Sequence, residues 1–471
     1  MGPIFRRWYP DSLFVRIGQI EKRSSASGSP AQLASQMRLG SISAHLASIF
    51  FALHYFWCDF YKKLHYFQCK ELYLQKKARM EQLYNTFRLK LSLTPMDYVR
   101  EFHDKINWSN RLICIMGQKG VGKSTMLLQH IKMFDNLEET LYVTADNIYF
   151  SGHTLYDLAQ SFFKAGGKRL YIDEIHKYKP WSTEIKNIYD DIPLLQVIYS
   201  GSSLLALQKG NKADLSRRSI PYTMPGLSFR EYLNIRNGWS LKTASLGEIL
   251  HGRIDFPYGE HRPLVYYKDY CKTGFYPYFQ ESDAPIRLEN AVLSTVENDI
   301  PAYAEMTVAS AVKLKKLMYI LSKSVPYKPS NDTLGRDLGI SRNIVPDYIE
   351  YLTKSGLFGA LHEPGHSDNL LMKVEKLYLG NSNIALALSE DGIIDSGNMR
   401  ETNFLAWTSQ VHKVTSSKIS DFEIDGITFE VGGKNKKGKQ IKDAEVGYLV
   451  KDDMEFAAGH SIPIWMFGFI Y

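Results

Sequence analysis

The stretch Gly117-Gln118-Lys119-Gly120-Val121-Gly122-Lys123-Ser124-Thr125 fits the pattern G-x-x-x-x-G-K-[ST] of a phosphate-binding loop. An apolar run at 112–116 precedes it, and a helical pattern follows it from residue 126. Strand, glycine-rich turn and helix are the context that this motif requires. The alternative is an ordinary glycine turn between a strand and a helix. We expect the loop to follow a strand of an α/β sheet.

The residue types of this loop suit an anion. The three glycines adopt backbone angles that other residues avoid, so the chain can wrap closely around a phosphate group. The loop amides then point inward, and the N-terminus of the helix adds a favourable dipole. Lys123 would reach the β- and γ-phosphates of a nucleoside triphosphate, and the Ser124 hydroxyl would ligate Mg²⁺. The sequence therefore predicts ATP and Mg²⁺ as ligands of residues 117–125.

A second motif, Arg169-Leu170-Tyr171-Ile172-Asp173-Glu174, ends an apolar run in two acids about fifty residues after the loop. Ligands of an α/β sheet bind at the carboxyl ends of its strands, so Asp173 is expected beside the phosphates, where it would hold Mg²⁺. Glu174 would orient and deprotonate the attacking water. The alternative is a strand that ends in a solvated acidic turn.

Apolar runs at 112–116, 141–144, 170–173, 196–199 and 220–224, most of them separated by helical patterns, predict a parallel sheet with helices on both faces. The fourth run ends in Ser200-Gly201-Ser202-Ser203. Ser200, with Ser202 as the second choice, is predicted to hydrogen-bond the attacking water or the γ-phosphate. A plain helix cap is the alternative.

Arg217 and Arg218 lie just before the fifth run. An arginine aimed at the γ-phosphate stabilises the charge of the transition state, so both are candidate catalytic residues. The sequence leaves open whether such an arginine acts within its own chain or on a neighbouring copy. Paired arginines are also common on surfaces that have no such role.

Length and composition indicate a globular protein of two to four domains: 471 residues, 44% hydrophobic and 23% charged. The net charge of +7 is compatible with nucleic acid, but spread charge is usually solvated surface. The cysteines show no metal-site spacing and are predicted to be reduced thiols in a cytoplasmic protein, with Cys114 buried in the strand before the loop.

Taken in order, the segments GQKGVGKST, LYIDE, IYSGSS, ADLSRR and MPGLSFREYL resemble those of a family of prokaryotic AAA-superfamily ATPases with a C-terminal region of unknown function. The resemblance runs from about residue 80 to the C-terminus. It implies an enzyme that binds and hydrolyses ATP, but no cellular task. The site residues that it implies are Lys123 and Ser124 on phosphate and Mg²⁺, Asp173 and Glu174 as the acidic pair, and Arg217 or Arg218.

Five segments are predicted: an extension at 1–79, an ATPase domain at 80–225, a helical lid at 226–305, a winged helix at 306–370 and a small α+β domain at 371–471. In the extension, the run from Ile42 to Cys58 only just reaches the length of a membrane span and contains polar residues, so a membrane is not expected as a partner. Three interpretations remain open: a weak membrane anchor, an extra helical appendage, or an upstream extension whose natural start is Met80.

Residues 309–357 show a helix-turn-helix pattern, in which Arg342 and Asn343 could enter a major groove. Asp347 and Glu350 on the same helix favour a packing role instead. Pro346 is tolerable only if this helix begins near Asn343.

The layout of the last hundred residues resembles the PD-(D/E)XK nuclease fold, which would use Asp421, Glu430 and Glu401. The lysine expected two residues after Glu430 is Gly432, and Lys434 would need a bulge to reach the site. The loop from Lys434 to Lys442 could hold a DNA backbone, with a flexible solvated loop as the alternative. The final run at 462–470 is predicted as a buried strand. A nucleotide-regulated DNA-binding module and an ATP-gated nuclease are thus the alternative functions, and a homo-oligomer is possible.

Overall fold

The computed structural model describes residues 56, 60, 80–201, 215, 217–364, 374–389 and 396–471. The chain divides into two compact units, Met1–Gln82 and Leu83–Tyr471. The predictions for the N-terminal extension and for Ser202 fall outside the described residues. No helix in the described ranges has the length and apolar character needed to cross a membrane.

A sheet of five parallel strands carries the glycine-rich loop, as the sequence predicted. Its spatial order is β2-β3-β4-β1-β5, so β4 lies between the two strands that end in the motifs. All five residues of the central β1 are buried, which is typical of a parallel strand covered on both faces. The strands are β1 (Leu112–Met116), β2 (Thr140–Thr144), β3 (Arg169–Asp173), β4 (Gln196–Gly201) and β5 (Ile220–Thr223).

Helices alternate with the first four strands. They are α1 (Lys123–Phe134), α2 (Leu155–Lys164) and α3 (Trp181–Asp191). Thr154 caps α2 by accepting a hydrogen bond from the backbone amide of Asp157, which satisfies one of the free amides of the first turn. Cys114 on β1 is fully buried, as predicted.

A buried histidine pair connects α1, which contains His130, to the segment before β1, which contains His103. Nε2 of His103 lies 2.9 Å from Nδ1 of His130, and the Trp108 ring stacks on the His130 ring with centroids 3.7 Å apart. Burial, with smaller contributions from His103 and Arg169, lowers the pKa of His130 to about 3. His130 is therefore neutral in the folded protein at any moderately acidic pH.

We expect His130 to destabilise the fold in acid. Its folded pKa of about 3 lies below the unfolded value of about 6.5, so the unfolded chain binds the extra proton between these values. This contribution to stability is complete above pH 6.5 and is lost as the pH falls towards 3. His130→Asn, which keeps a polar partner for His103, should flatten the fall in melting temperature between pH 7 and pH 4, measured by circular dichroism. His251→Asn, at an exposed histidine, is the control and should melt like the wild type. An undiminished acid slope in His130→Asn would contradict this assignment.

The segment after the sheet is helical and rich in aromatic residues, as predicted. The first helix begins with a capping box in which Ser228 and Glu231 satisfy each other's backbone amides. Two short π-helical turns, Tyr270–Gly274 and Thr295–Asp299, interrupt the series. The α-helices are α4 (Phe229–Asn237), α5 (Leu246–Leu250), α6 (Pro263–Asp269), α7 (Ala284–Ser294) and α8 (Ile300–Ala304).

Three helices and an antiparallel strand pair follow. They are α9 (Val308–Ser322), α10 (Asn331–Leu338), α11 (Val345–Lys354), β6 (Phe358–His362) and β7 (Val374–Leu379). Because α11 begins at Val345, Pro346 lies in its first turn, where no backbone hydrogen bond is lost. This element order is typical of a winged helix, but β6 also pairs with a strand of the C-terminal segment, and the winged-helix assignment remains a prediction.

The C-terminal segment builds the rest of a seven-stranded sheet with the order β12-β11-β10-β9-β8-β6-β7. The predicted hairpin around Asp425-Gly426 is present, and both residues have the positive φ angles (51° and 80°) that a tight hairpin turn requires. The elements are α12 (Ser382–Leu388), α13 (Ser396–Thr408), β8 (Val414–Ser416), β9 (Phe422–Ile424), β10 (Ile427–Gly432), β11 (Gly447–Lys451), β12 (Ser461–Pro463) and α14 (Ile464–Phe467).

The prediction of one closing strand at 462–470 is wrong. Only Ser461–Pro463 is a strand, and one turn of helix, Ile464–Phe467, follows it. A short apolar run does not distinguish a strand from a buried helix, and here every residue from 464 to 467 is buried. These side chains join one hydrophobic core with aromatic residues of the lid, among them Phe229, Tyr232 and Tyr270.

Candidate functional site

The glycine-rich loop connects β1 to α1 at the carboxyl edge of the parallel sheet. Gly122 is the N-cap of α1 and has a φ of 96°, in the left-handed region that favours glycine. The Val121 side chain is fully buried and anchors the loop, while Ser124 and Thr125, in the first turn of α1, are partly exposed. The loop therefore has the strand–turn–helix setting that its motif requires.

The Lys123 ammonium lies at the mouth of its own loop. It donates hydrogen bonds to the backbone oxygens of Gly117 (3.0 Å) and Gln118 (2.9 Å), and the residue is only 4% exposed. Burial lowers the pKa of Lys123, and the negative charges of Glu174 and Asp173 oppose that shift. The loop lysine and the acidic pair, about fifty residues apart in the sequence, therefore lie together.

The buried carboxylate of Asp173 is held by three donors. Ser200 donates its hydroxyl to Oδ1, the Tyr142 hydroxyl lies 2.6 Å from Oδ2, and the backbone amide of Glu174 lies 3.0 Å from Oδ1. The Ser124 hydroxyl is a further hydrogen-bonding neighbour of Tyr142. Tyr142 therefore lies between Ser124 and Asp173, the two residues that the sequence predicted as Mg²⁺ ligands.

The donor set of this site fits Mg²⁺. Ser124 and Asp173 offer hydroxyl and carboxylate oxygens, the ligand type that Mg²⁺ prefers, and both contact the same phenol. Across the described parts of the chain, no group of three or more His, Cys, Asp or Glu side chains is placed to hold a metal ion. An ion at Ser124 and Asp173 would therefore take its other ligands from phosphate and water, as Mg²⁺ does at nucleotide sites.

Glu174 has an unusual backbone conformation. Its φ of 53° and ψ of 38° place a residue other than glycine in the left-handed region, which costs free energy and is concentrated at functional sites. Its Oε2 lies 3.6 Å from Nε2 of His176 and 4.0 Å from Nζ of Lys177. Burial lowers the pKa of His176 to about 4, so its ring is neutral beside the carboxylate near pH 7. Glu174 thus follows Asp173 at the carboxyl edge, with its side chain still 21% exposed.

Ser200 and the two arginines lie at different ends of the sheet. Ser200 is fully buried at the end of β4, where it contacts Asp173. Arg217 and Arg218 precede β5, which runs parallel to β1, so they lie at the amino edge, one strand length from the loop. Arg218 pairs with Asp190 of α3 at 2.9 Å, and Arg217 is exposed. Neither arginine lies at the loop of its own chain, so a catalytic role on a neighbouring copy stays a prediction, with a surface pair that has no such role as the alternative.

Residues of the predicted lid and of the segment after it, none of them a predicted site residue, contact the loop. The Gln118 amide donates to the backbone oxygen of Gly356 (2.7 Å) and its Oε1 accepts from the Tyr276 hydroxyl (3.0 Å). A Cβ atom at Gly120 would lie 2.8 Å from the ring of Tyr278. The Tyr276-Pro277-Tyr278 turn therefore covers the loop, and no local pattern marks it apart from its aromatic content.

Two further contacts join the lid to the site. Nζ of Lys119 donates to the Ser294 hydroxyl of α7 at 2.9 Å. Asp299, one turn further on, interacts electrostatically with Lys119, His176 and Glu174. Burial raises the pKa of Asp299, and its Oδ2 has no hydrogen-bond partner among the described residues. Such charge placement depends on the tertiary fold and has no sequence signature.

The C-terminal segment gathers a second set of charges. The Tyr378 hydroxyl lies 2.9 Å from Oε2 of Glu401, and burial, together with the charge of Asp421, raises the pKa of Glu401. Oδ2 of Asp421 accepts from the backbone amide of Val431 at 2.9 Å, next to Glu430 on β10. The three acids that resembled a nuclease site therefore lie in one region.

The lysine beside Glu430 is Lys436, whereas the sequence had suggested Lys434. Nζ of Lys436 lies 3.4 Å from Oε1 of Glu430, whereas Lys434 is exposed. Oε2 of Glu430 is buried without a hydrogen-bond partner in the part of the chain that the structure describes. These acids do not form one of the metal-holding groups sought above. Nuclease activity and the DNA contacts of Arg342 and the lysine loop remain predictions.

The five-stranded parallel sheet, the glycine-rich loop after β1 and the acidic end of β3 have the arrangement of a P-loop nucleoside-triphosphatase domain. Residues 109–233 match the family model described as an AAA domain. Residues 265–393 match a domain of unknown function, DUF8612, which covers part of the lid and the helices after it. The family match thus includes the loop, both acids and the last strand of the sheet.

Among known proteins, the chain is 25% identical over 304 residues to an uncharacterized protein of Methanocaldococcus jannaschii, covering 60% of this chain and 63% of that protein. A Walker-type ATPase of Pyrococcus abyssi has a TM-score of 0.37 at 14% identity, covering 62% of this chain and 96% of its own. AMPPCP-bound DnaA from Aquifex aeolicus has a TM-score of 0.24 at 13% identity, covering 54% of this chain and 85% of its own. The site assignment depends on the family match and the geometry, since scores this low carry no argument.

Proposed function

We propose that this protein binds ATP with Mg²⁺ and hydrolyses its γ-phosphate. The observation that carries the proposal is the meeting of the loop lysine, Lys123, with the acidic pair Asp173 and Glu174 at one edge of the sheet. A buried ammonium facing a cradle of backbone amides provides positive charge where a triphosphate would lie. The match of residues 109–233 to an AAA domain supports the same reaction class.

Each residue has a separate task in this proposal. On nucleotide binding, Lys123 exchanges its bonds to the oxygens of Gly117 and Gln118 for bonds to phosphate oxygens. Ser124 and Asp173 would hold Mg²⁺, which would supply positive charge to the phosphates. Ser200 and Tyr142 donate to Asp173 and so fix the direction of its carboxylate. Positioning and electrostatics dominate phosphoryl transfer, and this arrangement provides both.

Glu174 is proposed as the general base. Its carboxylate is still partly exposed, so it can accept a proton from a water molecule placed for in-line attack. The partner group is the neutral His176, which lies beside it and carries no competing charge. The water oxygen forms a bond to the γ-phosphorus as the bond from that phosphorus to the bridging oxygen breaks and ADP leaves. The proton of the attacking water passes to Glu174.

The direct test is binding and turnover by the purified protein. A fluorescent ATP analogue should bind saturably, more tightly with Mg²⁺ than with EDTA, and phosphate should be released from ATP. The absence of saturable, Mg²⁺-dependent binding would refute the proposal. Measuring turnover with and without duplex DNA also tests the DNA-binding alternative, because a stimulated rate is expected only if DNA is a partner. Nicking of plasmid DNA in Mn²⁺ would instead favour the nuclease alternative.

A further inference from the structure

The guanidinium of Arg100 is buried and uses all five of its N–H donors. Nε and Nη2 form a two-pronged ion pair with the Glu231 carboxylate at 2.9 and 2.7 Å. Nη1 donates to the backbone oxygens of Val121 (3.1 Å) and Pro225 (2.7 Å), and Nη2 also donates to that of Gly226 (2.8 Å). One side chain thus joins the glycine-rich loop, the turn after β5 and the start of α4.

The bond to Val121 bears on the direction of a loop amide. A peptide unit is planar and trans, so its N–H points opposite to its carbonyl. When Arg100 holds the oxygen of Val121 on the outer side of the loop, the N–H of Gly122 is turned to the inner side. An anion cradle needs its successive amides turned inward in this way, so the bond fixes one donor of the cradle.

A second ion pair lies next to the first and joins the same two chain segments, but it does not contact the loop. Arg230 donates to the Glu101 carboxylate at 2.8 and 3.1 Å and to the backbone oxygens of Tyr471 and Leu241. The dipeptides Arg100-Glu101 and Arg230-Glu231 thus pair reciprocally. Both arginines are buried, so the second pair serves as an internal comparison for the first.

Arg100 and Glu231 stay charged despite their burial. Burial by itself would lower the pKa of Arg100, but the Glu231 carboxylate more than compensates and the pKa is raised. Burial likewise favours the neutral form of Glu231, yet the Arg100 charge leaves its pKa lowered. A buried ion pair is maintained only by good geometry, and lysine offers neither the fork nor five donors.

We propose that Arg100 is a positioning residue for nucleotide binding: through the Val121 carbonyl it turns the Gly122 amide towards the phosphates. This inference rests on the proposed function. Arg100 lies before β1 and outside every motif singled out in the sequence. In this proposal it controls the shape of the phosphate cradle. Glu231 acts through Arg100 by holding the guanidinium in place.

The test compares Arg100→Lys with Arg230→Lys in the full-length protein. Both changes remove the fork of a buried arginine and should lower the melting temperature, Arg100→Lys by more, because its partner Glu231 is buried whereas Glu101 is half exposed. Only Arg100→Lys should weaken binding of the fluorescent ATP analogue, by about tenfold or more, since it loosens an oriented backbone donor. Inorganic pyrophosphate, used as a competitor, should lose affinity in parallel, because it reports on the phosphate cradle alone. Arg230→Lys should bind both probes within about twofold of the wild type.

The inference would be overturned if Arg100→Lys bound the ATP analogue as tightly as the wild type does. It would also be overturned if Arg230→Lys lost as much affinity for the analogue as Arg100→Lys. Should Arg100→Lys fail to fold, Glu231→Asp provides the same test, because the shorter acid draws the guanidinium away from Val121. Wild-type affinity in a folded Glu231→Asp would then refute the positioning role. If the wild-type protein binds neither probe, the proposed function fails first and this inference fails with it.

Discussion

Lys123→Ala is expected to abolish measurable ATP binding, with at least a hundredfold loss of affinity. The ammonium is the positive charge that faces the loop, and hydrogen bonds between charged groups contribute about 1.5–3 kcal/mol each. The variant should still fold, because it removes a buried charge whose burial is itself unfavourable. Titration with the fluorescent analogue, alongside a melting curve, measures both outcomes.

Lys132→Ala is the matched control for this prediction. Lys132 belongs to the same helix and carries the same charge, but it is exposed and its Nζ contacts the backbone oxygen of Thr94 at 3.2 Å, away from the loop. The control changes the net charge equally and should bind the analogue like the wild type. Saturable binding of near wild-type strength by Lys123→Ala would mean that the triphosphate does not lie in this loop.

Much of the five-stranded parallel sheet was predictable, because most of its strands are apolar runs of β-type residues closed by a turn. The parallel order follows from the helices between those runs, and it brings the carboxyl ends of β1, β3 and β4 together. Lys123, Asp173 and Ser200 could therefore be placed together before any coordinates were known. The strands and the glycine-rich loop are determined by patterns within short stretches of sequence, and such patterns can be recognised without a structure.

The contacts around the loop were not predictable in the same way. Arg100, Tyr276 and Gly356 reach the loop from three distant segments, and nothing in their neighbourhoods announces it. The lysine beside Glu430 is Lys436 and not Lys434, because a turn closed by the hydrogen bond from the Lys436 amide to the Gly433 oxygen brings Lys436 back towards β10. Side-chain partners across long sequence separations depend on tertiary packing, which periodicity does not encode.

The arginines before β5 illustrate a different limit. The motif made Arg217 and Arg218 candidates, and the sheet then fixed their place at the edge opposite the loop. If either stabilises transition-state charge, it must do so on another copy, which the exposed Arg217 allows. A test of the catalytic role of these arginines therefore also has to test whether the protein forms homo-oligomers, whereas Ser200 and Asp173 contact each other within one chain.

Glu174→Gln is expected to lower kcat by about a hundredfold to ten-thousandfold while leaving the affinity for ATP nearly unchanged. The amide is isosteric but cannot accept the proton of the attacking water, and a positioned general base contributes rate enhancement of this size. Single-turnover phosphate release and equilibrium binding separate the two effects. Unimpaired turnover in Glu174→Gln would assign the base to another group.

A companion change, Glu174→Gly, separates chemistry from backbone strain. Glycine accepts the left-handed conformation without the penalty of about 1 kcal/mol that other residues incur, so this variant should be at least as stable as Glu174→Gln and equally inactive. Glu305 is the matched control, since it has nearly the same backbone angles (φ 51°, ψ 42°) at an exposed position outside the site. Glu305→Gly should gain the same relief and hydrolyse ATP at the wild-type rate. If both results are obtained, the strained backbone of Glu174 is explained by the need for its carboxylate. Glycine would fit that backbone better, but it has no carboxylate and would end turnover.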